Sequence, residues 1–328
     1  MGKKGILSKI FKMLTAILLF SAVLILMWLC YKVYMQKSIG WEDVYGAFGL
    51  TPGVAVSEEK PGETTGDFAP GQPVSVTFLE AEQGDCCVIE AGESVVVIDA
   101  GEYNSWDEID AFLSEKKIEK IDYLIATHPH ADHIGSMRAV ILKYEIGTIF
   151  FADIPEELFP TNSTYINLLL AIKQKNLGVE IVRAPERIDL NLGALTVISS
   201  GGAANLNDCS LVLRYDYGDT SFLFAGDIGE SVEKRLVSEK ARLGCNVLKA
   251  AHHGSKYSSC ETFLDYASPD FVVMSCGLDN KFSYPNAEVL ERCAKIGAVV
   301  KRTDLDGRVS FSSDGALVTL VNNLSKAA

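Results

Sequence analysis

Three of the chain's five histidines fall in one short run, Thr127-His128-Pro129-His130-Ala131-Asp132-His133-Ile134-Gly135-Ser136, and the other two, His252 and His253, are adjacent. Histidine is the commonest side-chain metal ligand, because neutral imidazole offers a lone pair at physiological pH. Upstream, Ile121 to Ala126 reads as a buried strand; downstream, Gly135 opens a helical pattern through Met137, Val140, Ile141 and Tyr144. The cluster is therefore expected on a tight loop at the C-terminal end of a strand, where α/β sheets place their sites. His128 and His130 alternate by two and suit one ion. Asp132 and His133 come round the turn and suit a second. A polar loop with surface histidines is the plain alternative, and metal ligation is the stronger reading.

The pattern His-x-His-x-Asp-His resembles the signature of the metallo-β-lactamase fold hydrolases, and further stretches match in chain order. Phe78-Leu79-Glu80-Ala81-Glu82-Gln83-Gly84-Asp85 resembles the opening Leu-Asp-Val-Gly-Gln-Gly-Asp of the ComEC-type competence proteins, with departures. Val97-Ile98-Asp99-Ala100-Gly101 resembles the first motif of the fold, and Asn207-Asp208-Cys209-Ser210-Leu211-Val212-Leu213 a segment of that subgroup. Phe224-Ala225-Gly226-Asp227 resembles the bridging-aspartate motif, and Leu248-Lys249-Ala250-Ala251-His252-His253-Gly254-Ser255 the His-His-Gly-Ser motif. The resemblance covers residues 73–323. It is specific for fold, less so for subgroup, and weak for substrate.

What the resemblance implies is an α/β fold, the metallo-β-lactamase αββα sandwich, holding one or two divalent metal ions, zinc or manganese. His128 and His130 would hold the first ion, Asp132 and His133 the second, and Asp227 would bridge them. His253, or its neighbour His252, would complete the first ion's ligands. Asp132, Asp227 and His252 are the candidates for catalytic work. Asp99, Asn207, Ser255 and Tyr284 would stand behind the ligands or against the substrate. Asp99 would orient a ligand histidine, since such partners fix ring tautomer and position. Asn207 stands near where many members of the fold place another ligand histidine, which shifts that duty to His252-His253. One departure bears on the second ion. Where the ComEC-type proteins usually carry a segment like Asn-x-Tyr-Gly-His-Pro, this chain has Asn280-Lys281-Phe282-Ser283-Tyr284-Pro285-Asn286, with Tyr284 in place of the histidine. A neutral phenol is a poor ligand beside imidazole. The second ion is expected to bind weakly, with simple packing of Tyr284 near the substrate as the alternative.

The remainder of the chain supplies an attachment. Between Lys12 and Lys32 no residue is charged and most are Leu, Ile, Val, Ala, Phe, Met or Trp. Such a helix, rising about 1.5 Å per residue, spans a hydrocarbon core of about 30 Å. Lys3, Lys4, Lys9 and Lys12 precede it, while Lys32 and Lys37 follow, so an N-terminal transmembrane helix with a cytoplasmic tip and an extracytoplasmic domain is expected. A cleaved signal peptide would want a shorter apolar core and a small-x-small site, which Trp28-Leu29-Cys30-Tyr31 does not offer. The expected organisation is a basic tip and anchor over 1–36, an acidic linker rich in Gly and Pro over 37–72, the hydrolase domain over 73–323, and a tail over 324–328.

Net charge is −13, part of it from the linker. An acidic surface gives no electrostatic footprint for long nucleic acids, though Lys249, Lys256, Lys281, Lys301 and Arg302 could line a local groove. The eight cysteines, Cys30 among them, show no zinc-knuckle spacing, and many of the seven outside the apolar run read as small buried hydrophobes, with no disulfide expected. Two divalent ions sharing a carboxylate favour phosphoester chemistry, because they clamp attacking and leaving oxygens together.

The expected function is a membrane-anchored phosphodiesterase or nuclease, with a phosphodiester substrate in nucleic acid or an envelope polymer. Related competence proteins couple such a domain to a membrane channel. A single apolar run without a channel reads as an isolated hydrolase. Choline-phosphate on teichoic acid is the envelope alternative. A non-catalytic binding module of the same fold is a third reading, and a lactamase or thioesterase a weaker fourth.

Overall fold

The computed structural model describes residues 71–321. The expected anchor, most of the linker and the tail lie outside the described residues. Among the described residues no helix is long and apolar enough to cross a membrane.

Two sheets form the centre. The first contains β1 (Val74–Phe78), β2 (Cys87–Ala91), β3 (Ser94–Ile98), β4 (Lys120–Ala126), β5 (Glu145–Ala152), β6 (Val179–Val182), β14 (Val309–Ser313) and β15 (Val318–Val321), in the order β15-β14-β1-β2-β3-β4-β5-β6. The second contains β7 (Glu186–Asp189), β8 (Ala194–Ser199), β9 (Val212–Tyr217), β10 (Thr220–Phe224), β11 (Val247–Lys249), β12 (Phe271–Met274) and β13 (Val299–Arg302), in the order β13-β12-β11-β10-β9-β8-β7. Strands β3 to β6 run parallel to one another, as do β10 to β13. The remaining neighbours are antiparallel, all of them hairpins except β1 with β14.

Aromatic rings fill the space between the sheets. Phe78 and Phe311 of the first meet Phe224, Phe222 and Phe271 of the second at centroid distances of 5.2 to 6.3 Å. Strands β10 and β11 are buried at every position, as expected of strands covered on both faces. Helices cover the outer faces, completing the expected αββα sandwich. Over the second sheet lie α5 (Glu230–Ser238), α6 (Glu261–Ala267) and α7 (Ala287–Lys295), whose Val232, Leu236, Phe263, Leu264, Val289 and Cys293 share one core with its strands.

Helices α1 (Trp106–Glu115), α3 (Met137–Lys143) and α4 (Ser163–Lys175) follow strands β3, β4 and β5 and bury one face each. Two single turns complete the set, α2 (Ala131–Ile134) and α8 (Thr303–Asp306).

Four details differ from the sequence expectations. Strands β6 and β7 carry too short and too charged a pattern to stand out, and both lie at sheet edges, where one side faces no neighbour. The helix expected to open at Gly135 is preceded by the separate turn α2, capped by His130, so Asp132 and His133 sit on a helical turn. Lys249 lines no surface groove, because it is buried between the sheets. Lys301 and Arg302 are paired with Asp306 and Asp304. All seven described cysteines are buried, and among the described residues none is joined in a disulfide.

Candidate metal centre

Every element of the site ends at the same edge of the sandwich. Asp99 follows β3, the histidine cluster follows β4, Gly226-Asp227 follow β10, and His252-His253 follow β11. These are the carboxyl ends of strands in two facing sheets. Close approach is enforced by glycine. A β-carbon on Gly84 would collide with the carbonyl oxygen of Asp132, and Gly226, at φ +53°, would meet Ser210. Asp99, His252 and His253 adopt left-handed backbone at φ 59°, 51° and 56°. For L-residues this conformation costs roughly 1–2 kcal/mol each. Strain at three neighbouring polar residues is what a functional constellation stores.

His128 Nε2 lies 3.0 Å from His130 Nδ1 and 3.8 Å from Asp227 Oδ2. His252 Nε2 lies 3.9 Å from the same carboxylate oxygen. A second group lies alongside. One donor atom from each of Asp132, His133, Asp227 and His253 falls within 4.8 Å of the others. His133 Nε2 is 3.4 Å from Asp227 Oδ1, and His253 Nε2 is 3.5 Å from Asp132 Oδ2 and 3.6 Å from Asp227 Oδ2. Asp227 thus belongs to both groups.

Ring tautomers follow from the partners behind each histidine. His133 Nδ1 donates to Asp99 Oδ2 at 2.7 Å, and Asp99 also accepts from the amide and hydroxyl of Thr127 at 2.8 and 2.7 Å. His253 Nδ1 donates to the Ser275 carbonyl at 3.0 Å. His128 Nδ1 faces the hydroxyls of Thr127 and Ser210, both at 3.3 Å. Those hydroxyls already donate to Asp99 and to the Asn207 carbonyl, so they accept from the ring. When each ring is neutral, as a metal ligand must be, Nδ1 carries the proton and a bare Nε2 points into the centre.

The donors fit a divalent cation. His133 Nε2, Asp227 Oδ1 and His253 Nε2 are buried with no hydrogen-bond partner, and leaving each unsatisfied costs about 1–3 kcal/mol. They converge, mixing imidazole and carboxylate in the way zinc or manganese accepts. The electrostatics agree. Burial alone would raise the Asp227 carboxyl, yet His253 and His133 beside it hold it well below the ordinary range. Burial opposes charge on His133 and His253 too, but Asp227, with Asp99 and Asp85, keeps both well above the imidazole range. His128 goes the other way, pushed down by burial and by His133. The centre holds an excess of anionic donors that calls for cations.

His128, His130, Asp132, His133, Asp227, His252 and His253 are all brought together. Of the two candidates left open, His253 joins Asp132, His133 and Asp227, while His252 shares with His128 its approach to Asp227 Oδ2. Position along the chain could not decide this between adjacent residues; two consecutive left-handed residues turn their rings different ways. The second group therefore has four donors without help from position 284. Tyr284 stacks on His253 at 6.4 Å between centroids and meets His252 edge-on at 5.7 Å. Asp99 stands behind His133. Asn207 holds Ser210 through its carbonyl, and its own Oδ1 is buried without a partner. Ser255 accepts from the Tyr257 amide at 3.4 Å and shapes the turn after His253. Two residues had been given no role at the centre. Asp85 lies 3.2 Å from His253 Nδ1, and Lys249 pairs with Asp85 at 2.6 Å. The only signal for either is its place within a motif stretch.

The chain is 28% identical over 202 residues to ComE operon protein 3 of Bacillus subtilis, which is 61% of this chain and 26% of that protein. It is 28% identical over 251 residues to competence protein ComA of Neisseria gonorrhoeae, covering 75% of this chain and 33% of that protein. It therefore spans about a quarter to a third of the length of these relatives. The metallo-beta-lactamase fold protein YhfI of Bacillus subtilis superposes with a TM-score of 0.47 at 12% identity, over 70% of this chain and 97% of that one. The family model of the metallo-beta-lactamase superfamily matches residues 79–277, a span that contains Asp85, both histidine clusters and Asp227. The chain belongs to the metallo-beta-lactamase superfamily, whose members are generally metal-dependent hydrolases.

Proposed function

We propose that this protein is a membrane-anchored, metal-dependent hydrolase of phosphodiesters, a phosphodiesterase or nuclease. One observation carries the reading. Asp227 stands among all the candidate ligands, with Oδ1 near His133 and Oδ2 near His128, His252 and His253. One or two divalent ions bound there, zinc or manganese, would polarise a phosphoryl oxygen and make water acidic enough to attack near neutral pH.

The chain's own residues do the rest. Asp99 and the Ser275 carbonyl fix the tautomers of His133 and His253, Asp132 lies at the open side of the cluster, and Tyr284 shields both His252 and His253. A cleft of about 380 Å3, lined by Asp132, Glu102, Tyr103, Lys281 and Phe282 among others, opens beside the centre and would admit the substrate. The relatives named for competence support nucleic acid as the substrate class. The net charge of −13 favours a second reading, a smaller envelope phosphodiester such as choline-phosphate on teichoic acid.

Metal analysis of the purified chain, followed by turnover of bis-p-nitrophenyl phosphate, single-stranded DNA and a lactam, separates the readings. Faster turnover of the lactam than of any phosphodiester would sink the proposal. The lysine asymmetry around residues 12–32 places the centre outside the cytoplasm in this reading. Protease added to intact protoplasts should then cut the acidic linker, and a linker cut only after lysis reverses the orientation.

A further inference from the structure

We propose that the buried pair Asp85–Lys249 is a positioning device for His253, aiming its bare Nε2 at Asp132, His133 and Asp227; this rests on the metal-centre reading above. Asp85 comes from the connection between β1 and β2 in one sheet, and Lys249 from the end of β11 in the other. Both are buried, Lys249 to 3% exposure, and the ammonium sits 2.6 Å from Asp85 Oδ2. Lys249 also donates to the Ala250 carbonyl at 2.9 Å, which holds the ammonium at the start of the segment leading to His253.

The other oxygen of Asp85 is left for the imidazole. Oδ1 lies 3.2 Å from His253 Nδ1, an electrostatic contact rather than a hydrogen bond, and is otherwise without a hydrogen-bond partner. A pair serving only to join the sheets would have no reason to leave that oxygen buried against a histidine. The backbone of His253, at φ 56°, offers the ring no favoured regular conformation, so its direction depends on contacts behind it. Those contacts are Asp85 and the Ser275 carbonyl. The arrangement parallels that of His133, whose Nδ1 meets Asp99 at 2.7 Å while Thr127 occupies the rest of that carboxylate. Two histidines of one donor group thus each have their own carboxylate. One is held by a neutral threonine, the other by a buried cation. A charge this deep is tolerated only when paired, so removing one partner alone is the harsher change.

The test is titration of the purified full chain with Co2+, read by visible absorption and by metal content. The double variant Asp85→Asn/Lys249→Met removes both charges at similar volume, and Asp85→Asn alone, read on the fraction folded by circular dichroism, provides a second arm. The expected result is a ten- to hundredfold weaker affinity for one Co2+, with any other ion bound as in the wild type. Wild-type affinity for every ion in either folded variant would show the pair to be structural only. No Co2+ uptake by the wild type overturns this proposal and the metal reading together. A wild type that binds Co2+ and hydrolyses no phosphodiester, with the selective loss intact in the variants, overturns the substrate reading and leaves the positioning role standing.

Discussion

Asp227 is the residue on which both donor groups depend, since each of its oxygens faces a different set of histidines. Asp227→Asn keeps the shape and one oxygen but removes the charge that would hold the cations. We expect metal content to fall and hydrolysis to drop roughly a hundredfold or more, with melting of the metal-free domain little changed. Full activity in this variant would reduce Asp227 to a turn residue after β10. Tyr284 tests the opposite kind of claim. The sequence made it the weak point of the second group, on the premise that His253 or His252 served the first and neither served the second. With His253 beside Asp132, the ring at 284 packs on ligands and need not be one. Tyr284→His should leave the affinity for the second ion unchanged in a metal titration; a tenfold tightening would mean that position 284 does lack a donor. The candidate ligands were legible because each sits in a short motif stretch, whereas their grouping depends on side-chain direction at two left-handed residues.

Among the elements, α5 carries an ionisable group that no motif announces. Glu233 is buried on its inner face and accepts from the amides of Ser259 and Cys260, just before α6, at 2.5 and 2.8 Å. Burial pushes its carboxyl up to about 7 from 4.5, against the pull of those amides. Below pH 4.5 the group is protonated folded or unfolded and adds no pH dependence. Between 4.5 and 7 the folded form holds the proton that the unfolded form releases, so stability falls as pH rises. Above 7 the loss is complete, about 3 kcal/mol at most. Glu233→Gln should remove this part of the slope, which melting curves of both proteins at pH 5 and pH 8 will register. Equal slopes would place the ionisation of Glu233 in the ordinary carboxylate range. The other elements were read from the sequence in proportion to their burial. Strands such as β10 and β12 announce themselves as short apolar runs, while β6 and β7 at the edges need few apolar residues and pass for loops. Asp85 and Lys249 were invisible as a pair, because they come from different sheets and meet only in the packed sandwich.

At the scale of the whole molecule, the centre and the aromatic layer tie the two sheets together at different places. Phe78, Phe311, Phe222 and Phe271 interleave between them, and Thr220 meets Ser313 across the sheets at 2.7 Å. At the site edge much of the inner surface is charged or imidazole, with donors from both sheets left unpaired. Ions bound there would join what the core does not. At a free metal concentration a hundredfold above the dissociation constant, one site adds about 2.7 kcal/mol, diminished by any binding to the unfolded chain. For a domain of this size that is about 5–10 °C in melting temperature. Stripping with chelator should lower the melting point by that order and restore it on adding back zinc or manganese. The loosening should also be local. Hydrogen exchange should quicken in residues 127–136, 226–229 and 250–255, which leave the strand ends of both sheets, while β1 and β14 keep their protection. A melting point and an exchange pattern both indifferent to chelator would mean that the converging donors hold no ion. Uniform quickening would instead make the metal a prerequisite of the whole sandwich.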